Sequence, residues 1–367
     1  MKACNQIWRL VPNKMKRYPG GRELDRFRGI EPAVDDECPE AWVGSDTVSC
    51  YREEDDDPNM GCARCILPSG EEKYLFEAIH EDPEGVLGKA HMQLHGERVG
   101  VLVKLLDAQK QLNLQTHPSK AYAKQFYHSE YGKEESWYVI GLRSDTEEPP
   151  YVLMGFADPD AKEKFSHGFD VYDPELMEGC CHKIQIREGD LFFIGAGLPH
   201  AIGPGCFLLE VQEPSDITVV PFKPHGEHLQ DEELKAYKDK TLGCFDYTAR
   251  SAEENLAFCA VKPEVVRSGS WGVEEMMIGP RQTSAFSYTR LEAKEEVTLC
   301  KTGALQIAIV LKGSATLRCG QQVLEVKQAD ELFFPYAIEP VVLIPHEPVT
   351  MVLCNPGGVN MEAGDNR

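Results

Sequence analysis

Along most of the chain, apolar positions come in short blocks rich in Val, Ile, Leu and Phe, broken by glycine-containing turns about every 8–12 residues. This is the cadence of antiparallel sandwiches and barrels. It predicts strands over residues 99–106, 138–141, 190–194, 206–212, 305–311, 315–319 and 332–335. Three stretches depart from it. Residues 35–57 are acidic around a strand-like 41–43, and the run 53–57 reads as a solvated loop. Residues 119–131 predict a short helix with Ser119 as its cap and Tyr122, Phe126 and Tyr127 turned to a core. Residues 226–256 are helical in character and separate two β-rich halves. The second half repeats Arg187-Glu-Gly-Asp-Leu-Phe-Phe-Ile as Gln328-Ala-Asp-Glu-Leu-Phe-Phe-Pro, so two related barrels are expected.

The fold class expected is therefore mainly β, with two jelly-roll β-barrels and a small helical insertion. Residues 1–225 form the N-terminal unit with the chemistry, 226–258 the helical linker, and 259–367 the C-terminal unit. Between Gln306 and Pro335 the second barrel has no histidine, so it is read as metal-free and structural, closing the first pocket or forming an oligomer contact.

With 367 residues, 42% of them hydrophobic, the chain can bury two such cores. A net charge of −22 without a long basic run sets the surface against nucleic acid and leaves a small molecule as the partner. The first 21 residues hold no signal-like apolar region, and no apolar run approaches membrane-spanning length, which predicts a cytoplasmic protein with no membrane contact. Thirteen cysteines are odd in number and scattered, as expected of reduced thiols, and Cys62 and Cys65 read as ordinary loop thiols. No dinucleotide or P-loop fingerprint occurs.

Gln115 and His117 lie two apart, so on an extended strand both side chains share one face. A carboxylate follows at Glu134 or Glu135, where a new β segment begins. His200 ends Gly189-Asp-Leu-Phe-Phe-Ile-Gly-Ala-Gly-Leu-Pro-His, where Gly197 lets the backbone turn tightly into the histidine-bearing strand. Such mixed nitrogen and oxygen donors suit zinc ahead of other divalent metals, with coordination positions left for water or substrate. His80, His91, His95, His128, His167, His182, His225, His228 and His346 lie in polar or loop-like surroundings and are read as ordinary side chains.

The spacing from Gly189 to His200 is similar to the second motif of the cupins, with Gly195 where proline is usual. Taken with Pro39-Glu-Ala-Trp-Val-Gly-Ser, Val103-Lys-Leu-Leu-Asp-Ala, Leu112-Asn-Leu-Gln-Thr-His-Pro, Gly132-Lys-Glu-Glu-Ser-Trp-Tyr and Leu209-Glu-Val-Gln-Glu-Pro-Ser-Asp, it makes residues 39–216 resemble the type I phosphomannose isomerases, zinc-dependent enzymes of the cupin superfamily. The resemblance implies a double cupin whose C-terminal half is degenerate. It also implies one Zn2+ per chain on Gln115, His117, Glu135 and His200, selecting Glu135 over Glu134. The activity implied is an aldose–ketose isomerase that interconverts mannose 6-phosphate and fructose 6-phosphate through an enediol. Lys133, Glu210 and Lys120 become the proton-moving candidates, and Trp42, Asn113 and Trp137 the substrate-binding ones. The partner would be a sugar or sugar phosphate, and the assembly a monomer or homodimer.

One position departs from the family pattern. Where the family places a substrate-facing arginine after the Ser-Asp pair, this chain has Val220, and an apolar side chain cannot neutralise a phosphate. Lys223 lies three residues on, and Arg17 and Arg22, beside Tyr18-Pro-Gly-Gly, are the residues that would substitute by folding over the opening, although none is in register. A different or unphosphorylated sugar, or a non-catalytic metal-dependent sugar-binding cupin, are the alternative readings.

Overall fold

The computed structural model describes residues 2–223 and 229–358. The expected boundary at 225, together with His225 and His228, falls outside them. Short strands dominate, as the turn cadence predicts. One barrel is built from two antiparallel sheets. The larger orders Leu191–Ile194, Glu135–Leu142, Cys206–Gln212, Leu102–Asp107, Glu40–Val43 and Lys14–Met15, and the smaller orders His200–Ile202, Tyr151–Phe156 and Cys181–Gln185. A second barrel combines a nine-stranded and a four-stranded sheet.

The six-stranded sheet is buried on both faces. Inward, Leu106, Val139, Leu208, Phe192 and Trp137 pack with Val152, Met154 and Ile202 of the smaller sheet. Outward, Val103, Leu105, Leu209, Val211 and Tyr138 pack with Phe286, Tyr288, Ile307, Ile309 and Val352 of the nine-stranded sheet. That double burial explains why Leu102–Asp107 and Cys206–Gln212 are buried at every position and read as near-continuous apolar runs rather than alternating ones.

The nine-stranded sheet is not drawn from the C-terminal half alone. Trp8–Leu10 pairs antiparallel with Glu331–Phe334, and Arg64–Ile66 and Glu72–Tyr74 continue the sheet beyond it. Trp8 stacks on Phe333 at 5.4 Å, so the two ends of the chain share one apolar core.

The helix capped by Ser119 spans Lys120–Tyr127, its hydroxyl accepting from Tyr122 N at 3.2 Å. The helical segment after residue 228 resolves into Asp231–Leu242 and Ala252–Cys259. Further helices, Leu75–Glu81, Pro83–Leu87, Lys89–His95, Ala161–Val171 and Pro174–Glu178, lie where strand cadence alone gave no expectation. His91, expected in polar surroundings, is instead buried against the His95 ring at 4.7 Å. Cys62 and Cys65 are buried free thiols, Cys65 within the strand Arg64–Ile66 rather than in a loop. Among the described residues no helix is long and apolar enough to cross a membrane.

Candidate metal centre

His200 opens its strand immediately after the glycine turn. Gly197 has φ +84°, and an added Cβ would press on Asp246 and Cys244 at 3.3 Å, so both conformation and space favour glycine there. The turn returns the chain alongside residues 115–117. Gln115 N donates to His200 O at 2.9 Å and His200 N to Gln115 O at 2.8 Å, while Gly197 N donates to His117 O at 2.9 Å. Thr116, between the two candidate ligands, turns its hydroxyl the other way, to Leu198 O at 3.0 Å. Glu135 arrives as the first residue of Glu135–Leu142, held between Ile194 and Gln212 on the flanking strands.

Among the described residues, His117, Glu135 and His200 form the one group of three potential ligands whose donor atoms all lie within 4.8 Å of one another. The three side chains are buried. His117 Nδ1 lies 3.0 Å from Ile217 O, and His200 Nδ1 lies 2.9 Å from Leu198 O. A carbonyl only accepts, so both protons sit on Nδ1 and both Nε2 atoms present lone pairs. Those lone pairs face each other at 3.2 Å. Glu135 Oε2 lies 3.1 Å from His117 Nε2, and Oε1 lies 3.5 Å from His200 Nε2. Neither carboxylate oxygen has a hydrogen-bond partner.

Electrostatics reinforce these protonation states. Burial first, then the Lys133 charge, pushes the His117 imidazole down to about 3, and burial also lowers His200. Burial alone would raise Glu135, but the Lys133 charge, the largest opposing cause, holds the carboxylate well below its usual range. Two imidazole lone pairs and a carboxylate converge on one buried point and repel one another, with the Lys133 ammonium beside His117 and Glu135 offsetting part of that repulsion. A divalent cation relieves all three, and nitrogen and oxygen donors of this kind are the ordinary ligands of zinc. The Gln115 amide completes the approach, with Nε2 at 3.4 Å from His200 Nε2, and a half-turn of the amide presents its oxygen there instead.

Above this group opens a cavity of about 540 Å³ whose lining includes Gln115, Asn113, Lys133, Glu210 and Val220. The floor follows from strand register. Trp42, Lys104, Glu210, Trp137 and Phe192 are direct neighbours across five adjacent strands. Within that row Lys104 Nζ lies 3.0 Å from Glu210 Oε1 and 5.0 Å from the Trp42 ring centroid, and Trp137 Nε1 donates to Glu210 Oε2 at 3.1 Å. Trp42 and Trp137 are fully buried behind the lining rather than on it. Lys133 Nζ stands 3.0 Å from His117 Nε2 and 3.2 Å from Glu135 Oε2. Lys120 is not brought to the cavity lining: it is half exposed and lies 3.7 Å from Glu213 Oε1.

Of the basic residues considered beside Val220, only Arg17 lines the cavity. Its guanidinium lies 5.0 Å from the Trp42 ring centroid and 4.9 Å from that of Tyr51, and Nη2 donates to Asp216 Oδ2 at 2.8 Å. Its Nε is buried without a hydrogen bond, 3.9 Å from Glu40 Oε2. Arg22 pairs with Asp145 at 2.6 Å beside a separate cleft, and Lys223 donates to Asp170 O at 2.8 Å.

No family model matches the chain. Among curated proteins it is 25% identical over 258 residues to mannose-6-phosphate isomerase ManA of Bacillus subtilis, covering 67% of this chain and 72% of the relative. It is 24% identical over 243 residues to the mannose-6-phosphate isomerase of Streptococcus mutans, covering 65% and 69%. The chain is similar to these mannose-6-phosphate isomerases over about two thirds of its length. Solved structures show the same fold. The mannose 6-phosphate isomerase of Bacillus subtilis superposes with a TM-score of 0.70 at 19% identity, over 95% of this chain and 99% of that one. A zinc-bound mannose 6-phosphate isomerase gives 0.68 at 17%, over 95% and 99%.

Within this phosphomannose isomerase fold, sequence reasoning overlooked Lys104, Tyr18, Glu40 and Asp216, all on the cavity lining. Lys104 carried a readable signal: it is the one charge inside the apolar run Val99-Gly-Val-Leu-Val-Lys-Leu-Leu, and a lone lysine in a doubly buried strand must face a partner.

Proposed function

We propose that the chain is a zinc-dependent aldose–ketose isomerase that interconverts mannose 6-phosphate and fructose 6-phosphate through an enediol. The observation that carries this reading is the convergence of His117, Glu135 and His200, three buried donors within 4.8 Å of one another, beside a cavity of about 540 Å³. Gln115 would be the fourth ligand. Bound there, zinc supplies Lewis-acid stabilisation of the charge that develops on the sugar's carbonyl and hydroxyl oxygens.

The chain's own residues handle the proton. Glu210 lines the cavity, its Oε2 accepting from Trp137 Nε1 and its Oε1 ion-paired with Lys104 Nζ at 3.0 Å. Burial first, then the Glu135 charge, raises the Glu210 carboxyl above its ordinary value, which suits a group that takes a proton from one sugar carbon and returns it to the next. Lys104 holds that carboxyl in place, and Lys133 lies at the edge of the metal group within reach of a substrate oxygen. Asn113 offers a hydrogen bond from the wall. Arg17 is the guanidinium that meets the phosphate, in place of an arginine at Val220.

A cytoplasmic location, a small-molecule partner to the exclusion of nucleic acid, and a monomer or homodimer belong to the same reading. So does the division into 1–225, 226–258 and 259–367. A second reading, an unphosphorylated sugar, draws on Val220 and on the carboxylates Glu40, Glu53 and Asp56 along the lining. Metal analysis of purified protein, joined to an isomerase panel of mannose 6-phosphate against free mannose and other sugars, separates them. Zinc-loaded protein that converts free sugars but not mannose 6-phosphate favours the second reading. Protein that binds sugar without converting any is a binding cupin.

A further inference from the structure

Glu135 is the first residue of its strand, preceded by irregular chain from His128 to Glu134. Strand ends fray, yet a metal ligand must be held to about half an ångström. The C-terminal half, whose described residues hold no group of three potential metal ligands, supplies what that position lacks. On Glu135–Leu142, residues alternate between two faces: Glu135 and Trp137 turn to the metal side, while Ser136 and Tyr138 turn to the nine-stranded sheet.

Every outward-facing polar group at this strand start is tied to residues 283–290. Thr283 Oγ1 donates to Glu134 Oε2 at 2.6 Å, Ser136 Oγ lies 3.4 Å from Tyr288 Oη while donating to Val211 O of the neighbouring strand at 3.3 Å, and Arg290 Nη1 donates to Tyr138 Oη at 2.7 Å. Arg290 is itself fixed by Glu275 Oε2 at 2.6 Å, and Tyr288 is fully buried. These contacts bracket the ligand on both sides along one strand.

We propose that Thr283, Tyr288 and Arg290 are positioning residues that fix the Glu135 strand from behind, so that the C-terminal half sets the affinity of the metal centre. This rests on the metal site proposed above. Lys133, one residue before the Thr283-bound Glu134, is steadied by the same contact. Outer groups that orient metal ligands are generally worth 10- to 100-fold in metal affinity.

Zinc affinity, measured by competition with a chromophoric chelator, tests this without reference to turnover. Thr283→Val deletes one hydroxyl at nearly constant shape, and Arg290→Met deletes the Tyr138 bond. Each should weaken zinc binding by about 10-fold or more. Thr283→Ser and Arg290→Lys, which keep a donor, should recover most of the parent's affinity. If Arg290→Met folds poorly, the Thr283 pair decides alone. Thr283→Val and Arg290→Met proteins that bind zinc as tightly as the parent overturn the tether and leave the metal site standing. Zinc bound by neither parent nor variants overturns both.

Discussion

Glu135→Gln keeps the size of the side chain and removes the one negative charge in the group formed with His117 and His200. In the parent, zinc at about a thousand times its dissociation constant should stabilise the folded state by about 4.1 kcal/mol, because a ligand that binds only the native chain adds RT ln(1 + [L]/Kd). Both halves share the core around Trp8, Tyr288 and Phe333, so they should unfold together. An unfolding entropy of about 2.1 cal/mol/K per residue comes to about 0.8 kcal/mol/K for 367 residues. Zinc should therefore raise the melting temperature of metal-stripped parent protein by about 5 °C. Losing the carboxylate leaves two neutral imidazoles and an amide. A thousandfold weaker site at the same zinc concentration retains about 0.4 kcal/mol, or about half a degree. Calorimetry of chelator-treated protein with and without zinc reads this directly. A Glu135→Gln protein that keeps the full zinc shift refutes the assignment, since the metal would then be held elsewhere.

Three further outcomes follow from the geometry. Glu210→Gln should lower kcat by about 10²- to 10⁴-fold and abolish exchange of the C2 proton with solvent deuterium, while zinc content stays at the parent's level. Arg17→Gln removes charge-assisted bonds worth about 1.5–3 kcal/mol, so kcat/KM for mannose 6-phosphate should fall by about 10- to 150-fold, chiefly through KM, with restoration by Val220→Arg in the same chain. Glu213 is raised from 4.5 to about 7, by burial first, against the opposing Lys120 charge and with Glu134 adding to it. Between those two values the folded chain keeps a proton that the unfolded chain has released, so stability falls as pH rises from about 4.5 to about 7 and is level above. Glu213→Gln should flatten that slope and gain up to about 3 kcal/mol on the alkaline side, read as melting temperature against pH.

The strand cadence, the double-barrel architecture and much of the metal group were legible because each rests on local pattern. Gln115 and His117 are paired by same-face spacing, and His200 by a turn that only glycine at 197 makes comfortably. Glu134 against Glu135 was not decidable from spacing, since both are carboxylates at a strand start. Alternation decides it in the fold, sending Glu135 inward and Glu134 to Thr283. The short helices that strand cadence missed carry a signal of their own. Asp82 and Asp173 each precede a proline and cap the helix behind it, accepting from Gly85 N at 3.2 Å and Leu176 N at 3.0 Å. The pairing of Trp8–Leu10 with Glu331–Phe334 had no local trace, because its partners lie more than 300 residues apart and are matched only by shared apolar burial.

The same geometry explains why a half without metal ligands accompanies the half that has them. One buried face already specifies strand register, and a one-residue slip in the six-stranded sheet would exchange two buried faces at once. It would carry Lys104, Glu210 and Glu135 into the apolar core around Tyr288 and Ile309, leaving charges unpaired, and would place Val103, Leu209 and Ser136 in the cavity. Apolar burial on one side thus enforces the register that aligns the charged row on the other. The C-terminal half thereby fixes which residues of three adjacent strands face the cavity and the donor group of His117, Glu135 and His200.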